Sequence, residues 1–151
     1  MIFLELERVR RHTSERSNER IDHTIAEAIE SYAGQSDAVL TRRIDELDRE
    51  WDIERALQTH AAALALLGLG LAVGVNRKWL ALSGGVLGFL LLHGTQGWCP
   101  PLPVLRRWGV RTRGEIDRER FALKFLRGDF AEVRNADGKI NVLALIHAVK
   151  L

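Results

Sequence analysis

Cysteine occurs once in this chain and proline three times. A lone thiol forms no internal disulfide, and it lacks the companions of a zinc motif. The cysteine and all three prolines fall in one stretch, GTQGWCPPLP, from Gly94 to Pro103. The machinery of common enzymes is also missing. There is no glycine-rich phosphate loop, no serine nucleophile in a strained turn and no paired carboxylates in the apolar region. No catalytic residue, metal site or cofactor is therefore assigned. The start, MIFLELERVRR, lacks the basic region and long apolar stretch of a signal peptide.

Charge is missing locally rather than overall. From Ala56 to Val75 there is no Asp, Glu, Lys or Arg, and after Arg77-Lys78 the next charge is Arg106. The flanks of this uncharged middle have opposite sign. Residues 1–55 hold nine Arg against fourteen Asp and Glu, and residues 76–151 hold thirteen Lys and Arg against six acids. Opposite flanks are expected to face one another. A nucleic-acid-binding chain would be basic in both arms, so no nucleic-acid partner is expected. At 151 residues, length alone asks for no more than one domain.

The middle reads as two helices, 56–75 and 79–98, of twenty residues each. At 1.5 Å per residue each would span roughly 30 Å, the thickness of a bilayer's hydrocarbon core. Only Asn76-Arg77-Lys78 joins them, which makes the pair antiparallel. The expected fold class is thus all-α, an antiparallel two-helix transmembrane hairpin with amphipathic helical cytoplasmic arms. Trp79 and Trp98 bracket the second helix and would anchor it at the two interfaces. Eight arginines flank the terminal side of the hairpin (Arg42, Arg43, Arg49, Arg55, Arg106, Arg107, Arg111, Arg113), against Arg77 and Lys78 in the loop. The positive-inside rule then places both termini in the cytoplasm. Gly70-x-x-x-Gly74 and Gly84-x-x-x-Gly88 each set two glycines on one helix face, a pattern that admits a neighbouring backbone and favours a homodimer. The competing reading is a soluble helical oligomer with the same hairpin in its core, because Gln58, Thr59, His60, Thr95 and Gln96 weaken one end.

The arm 1–55 carries an apolar seam at Leu40, Ile44, Leu47 and Trp51, preceded by a stripe from Ile21 to Tyr32 that stops near Gly34. Coiled-coil-like spacing suits an intramolecular seam or a cytoplasmic protein partner bound through residues 37–55. With no proline or glycine between Asp37 and Gly68, one helix is expected to run from about Asp37 into the membrane. The basic tail 99–151 contains an amphipathic helix over about 115–127. There Phe121, Ala122, Phe125 and Leu126 face away from Arg120, Lys124 and Arg127. That helix lies on an anionic membrane or packs its aromatic face on the acidic arm. NADG, residues 135–138, is a turn signal ahead of a short terminal helix.

Cys99 falls where the second apolar helix ends, and a helix C-terminus raises a thiol pKa. Hairpin geometry would bring His60 and His93 to one depth, just below Cys99. Intramembrane polar residues are candidate functional groups, so these three form the candidate thiol and polar site. Without metal-type spacing, interfacial hydrogen bonding competes with ligation.

Gly97-Trp98-Cys99-Pro100 is followed by Gly109-Val110-Arg111-Thr112, and Glu54-Arg55 precedes the first apolar segment. This combination resembles the YgaP-like inner-membrane transmembrane domain family, over about two fifths of the chain from Glu54 to Thr112. LDREWDIERAL (Leu47–Leu57) and ERFALKFLRGDF (Glu119–Phe130) resemble a bacterial subgroup of unknown function. The resemblance implies a dimeric hairpin in the bacterial cytoplasmic membrane, with no chemistry assigned to Cys99. Some family members carry a rhodanese domain with a C-x-x-G-x-[RT] loop. Cys99 is followed by Pro-Pro-Leu-Pro-Val, so sulfurtransferase activity is not implied. The functional expectation is a dimeric membrane anchor, adaptor or scaffold. Its alternative is a thiol-dependent redox or small-anion handling protein using Cys99.

Overall fold

A computed structural model describes residues 8–134 and 138–150. Seven α-helices lie wholly within the described residues: α1 Glu15–Tyr32, α2 Asp37–Arg49, α3 Ile53–Gly74, α4 Leu80–Gln96, α5 Leu102–Arg107, α6 Arg113–Arg127 and α7 Val142–Val149; residues 8–11 are helical as well. Short 3-10 turns lie at Arg77–Trp79 and Ala131–Val133. The chain is all-helical, as its patterning implies. It divides into two compact units, each built from two pieces of chain: Met1–Ile21 with Trp51–Arg113, and Asp22–Glu50 with Gly114–Leu151.

The first unit contains α3 and α4. Helix α3 begins abruptly rather than continuing α2. Asp52 is extended and its carboxylate accepts the Arg55 N–H at 2.7 Å, the usual N-cap geometry. The Ile53 N–H, an orphan donor at this end, is taken by Arg111 O at 2.9 Å. The uninterrupted helix expected from Asp37 is therefore broken at residues 50–52; an aspartate cap serves as the break where no glycine or proline is present. Within Asp37–Gly74 lies one helical window long and apolar enough, by length and composition only, to cross a membrane.

Helix α4 is shorter than the twenty residues expected, for reasons visible at both ends. Asn76 accepts the Lys78 N–H and opens a 3-10 turn that absorbs Trp79. Gly97, at φ +78°, returns its N–H to His93 O and ends the helix before Trp98, a glycine-dependent stop. Helices α3 and α4 meet at small residues. Ser83 Oγ donates to Ala65 O at 2.9 Å, and a Cβ added to Gly68 would fall 2.5 Å from that hydroxyl oxygen. A neutral hydrogen bond of this kind contributes about 0.5–1.5 kcal/mol. A Cβ added at Gly70, Gly74, Gly84 or Gly88 would meet nothing within 4 Å, so these glycines take no part in the contact between α3 and α4.

The second unit packs α2 against α6. Leu40, Ile44 and Leu47 are buried with Ile116 and Leu123, and Tyr32 packs against them. The apolar seam of α2 is thus satisfied inside the chain, and it ends at Leu47, because Trp51 is exposed. Ion pairs join the acidic arm to the basic tail, as the opposed charges imply. Asp48 meets Arg120 at 2.7 Å, Glu119 meets Arg43 at 2.8 Å and Asp22 meets Arg118 at 3.2 Å.

Helix α6 packs on the acidic arm, but through a face other than its aromatic one. Glu115, Glu119, Arg120 and Lys124 are buried, whereas Phe125 is 72% exposed. The charged face turns inward because α2 supplies partners of opposite sign, so the aromatic face does not pack on the acidic arm. Lys124 Nζ also donates to Ala148 O and Lys150 O, and Arg120 donates to Lys150 O. These two cations satisfy carbonyls at the C-terminal end of α7. At the other end Asn141 accepts the Ala144 N–H. In the expected NADG turn, residues 135–137 lie outside the described residues, as do residues 1–7 of the chain start; Gly138 has φ +74°.

Candidate functional site

The element that follows α4 is built from the Gly97–Pro103 motif. Gly97 is required twice, once for its positive φ and once for space: an added Cβ would fall 2.6 Å from Arg8 Cβ and 3.0 Å from Arg8 C. Arg8 in turn donates to Gly94 O at 3.2 Å and Thr95 O at 3.4 Å. A guanidinium thereby covers carbonyls that the last turn of α4 leaves unpaired, where positive charge is favoured. Pro101 precedes the first residue of α5, and Pro103 lies in its first turn, where the missing N–H is harmless.

Cys99 lies between these helices, in a core with Val9, Ile53, Leu57 and Leu102. It is 3% exposed. The thiol was expected at a helix C-terminus, but α4 has ended three residues earlier and α5 begins three residues later. Its pKa is pushed up by burial, and a Leu102 backbone hydrogen bond opposes the shift. Arginine does not activate it: Arg106 is fully buried and directs its guanidinium to Thr13 Oγ1 at 3.2 Å, Val110 O at 3.1 Å and Asn18 Oδ1 at 2.8 Å. The whole motif thus holds a chain reversal together.

His60, His93 and Cys99 do come together, as walls of one cavity of about 630 Å³. Leu57 and Leu64 of α3, Phe89 and Leu90 of α4, and Trp108 make most of the remaining surface apolar. The two imidazoles differ. His60 is exposed and its Nδ1 lies 2.6 Å from Ala56 O, so Nδ1 carries the proton and donates within α3. His93 is only 9% exposed, and its Nδ1 is buried with no hydrogen-bond partner. Among the described residues, no group of three or more His, Cys, Asp or Glu is arranged to hold a metal ion.

The expected anchors Trp79 and Trp98 lie outside the α-helices, Trp79 in the 3-10 turn and half exposed, Trp98 after Gly97 and half-buried. Three residues organise this region in ways the sequence reading did not assign: Arg8, Gly68 and Arg106, the last counted there only among the flanking arginines. A serine isolated in an apolar helix, Ser83, was the available signal for the Gly68 contact; nothing local marked Arg8 or Arg106. No protein-family model, curated protein or solved structure matches this chain.

Proposed function

We propose that this chain is an integral membrane protein, held by α3 and α4 as an antiparallel hairpin and acting as a dimeric anchor or scaffold. Membership of the YgaP-like family, a bacterial cytoplasmic membrane and cytoplasmic termini belong to this proposal. The observation that carries it is where large apolar side chains point. On α3, Leu66 is 68% and Val73 92% exposed, and on α4 Leu91 is 70% exposed. Contiguous exposed aliphatic surface is unfavourable in water at roughly 25 cal/mol per Å², and a lipid bilayer removes that cost. The open faces of Gly70, Gly74, Gly84 and Gly88 leave room for a second copy. The burial of Cys99 weighs against a thiol-dependent activity.

Fractionation with an alkaline carbonate wash tests the proposal. Retention in the membrane pellet until detergent is added is expected. Release by carbonate would overturn the membrane reading in favour of a soluble oligomer whose copies cover α3 and α4.

A further inference from the structure

We propose that the cavity beside Cys99 is a binding site for a single-chain fatty acid, with the carboxyl head at His93 and the chain along the apolar wall. This goes beyond the anchoring role and does not depend on it, since a soluble oligomer with the same cavity would bind the same molecule.

The volume comes first. About 630 Å³ falls inside the range of roughly 300–1,000 Å³ typical of small-molecule sites. The lining then sets the ligand class. Leu57, Leu64, Phe89 and Leu90 present hydrocarbon, which selects an alkyl chain over a sugar, nucleotide or peptide. His93 borders this wall, and its Nδ1 is buried and without a partner; half a turn of the ring about Cβ–Cγ exchanges Nδ1 with Cδ2 and would offer that nitrogen to a ligand. A buried polar atom without a hydrogen bond costs about 1–3 kcal/mol, so a ligand that supplies one gains affinity there.

The head group follows from the imidazole and its surroundings. If Nδ1 bears the proton, a carboxylate accepts from it; if Nδ1 is bare, a carboxylic acid donates to it. A carboxyl group pairs with either tautomer. The last turn of α4 would otherwise repel an anion through its carbonyls. Arg8 offsets this, because its guanidinium lies on Gly94 O and Thr95 O, one and two residues beyond His93. The same charge disfavours a cationic amphiphile. His60 already donates to Ala56 O and leaves its other ring nitrogen as a secondary acceptor.

The full chain in lipid nanodiscs is titrated with parinaric acid, a fluorescent fatty acid, against empty nanodiscs. Saturable binding of one molecule per chain is expected, displaced by palmitic acid and much less by hexadecanol. His93→Leu is expected to weaken binding by about tenfold or more, whereas His93→Gln, which keeps a donor and an acceptor, stays within about threefold. Ala61→Trp, which fills the cavity, abolishes saturation. Helix content by circular dichroism checks each variant, and if His93→Leu does not fold, the other two decide. Non-saturable partition equal to that of empty discs overturns the proposal. Equal displacement by hexadecanol also overturns it, as does unchanged binding in His93→Leu. A chain whose copies separate in Ala61→Trp with parinaric acid binding unaltered would show that a second copy, not a fatty acid, fills the cavity.

Discussion

Replacing Gly97 by alanine tests the clasp between the N-terminal segment and the end of α4. Two penalties operate at this position. Gly97 has φ +78°, and a non-glycine residue in the left-handed region costs roughly 1–2 kcal/mol. The new Cβ would also lie 2.6 Å from Arg8 Cβ, 3.0 Å from Arg8 C and 3.3 Å from Arg8 O. Two of those atoms are backbone, so a side-chain rotation cannot relieve the contact, and overpacking of this kind costs about 1–3 kcal/mol. The sum is roughly 2–5 kcal/mol. Gly109 provides the internal reference. Its φ is +85°, and an added Cβ meets nothing within 4 Å, so Gly109→Ala suffers the conformational penalty alone, about 1–2 kcal/mol. Gly85→Ala, in open space inside α4 and outside the glycine pairs of the proposed dimer face, is expected to be neutral or stabilising by up to about 1 kcal/mol. Thermal or denaturant unfolding of the three variants in one detergent gives the order Gly97→Ala, then Gly109→Ala, then Gly85→Ala, from most to least destabilised. Equal losses in the first two would refute the close approach of Arg8 while leaving the backbone conformation intact.

Three further outcomes follow from the same geometry. Gly68→Ala, whose Cβ would fall 2.5 Å from Ser83 Oγ and 3.1 Å from Ser83 N, is expected to destabilise by about 1–3 kcal/mol. Gly85→Ala, with an open position, is expected to cause no loss; equal behaviour in unfolding would remove the Gly68–Ser83 contact. Cys99, buried and with its thiol pKa raised above 9.0, should react with maleimide at neutral pH far more slowly in the folded protein than in denaturant. Equal rates would show an exposed thiol. Asp129 is held below its ordinary 3.8, chiefly by the hydrogen bond from Arg127. Its contribution to stability is therefore complete above that value and lost as pH falls through the lower folded one. Acid unfolding of Asp129→Asn should lack this component, and an unchanged acid limb would contradict the pairing.

The all-helical class and the apolar stretches were legible because composition changes so sharply at Ala56 and after Lys78. The boundaries were less so. Apolarity continues past Gln96, whereas the helix stops there because Gly97 adopts positive φ to let Arg8 approach. That reason lies almost ninety residues away in the chain. The break at residues 50–52 was hidden for a different reason, since Asp52 is one acid among many and acts as a cap only because Arg111 O takes the neighbouring N–H. The gathering of His60, His93 and Cys99 was legible from a residue count along two linked helices. Their unequal hydrogen bonding was not, because it depends on the side-chain rotamers.

Helix α6 shows why patterning alone misassigned a face. Its aromatic stripe has the spacing of a core-facing helix, yet Ile116 and Leu123 are the apolar residues that α2 covers. Burying Glu119 beside Arg43 holds that guanidinium above its ordinary pKa, even though desolvation works against it. Paired charges are tolerated inside when both partners are present, while removing one partner from a buried pair costs roughly 3–5 kcal/mol. The charged face can therefore be the inner one only because the acidic arm brings Asp48 and Glu46 alongside arginines of its own. Phe125 is then left outward by geometry rather than by choice of solvent. The same does not hold for the stretch from Ala56 through α4, where Arg77 and Lys78 of the turn are the only Lys, Arg, Asp or Glu, so no charged face is present there to turn inward and Leu66 and Leu91 stand outward. The opposed net charges of the two flanks thus describe how the second unit closes.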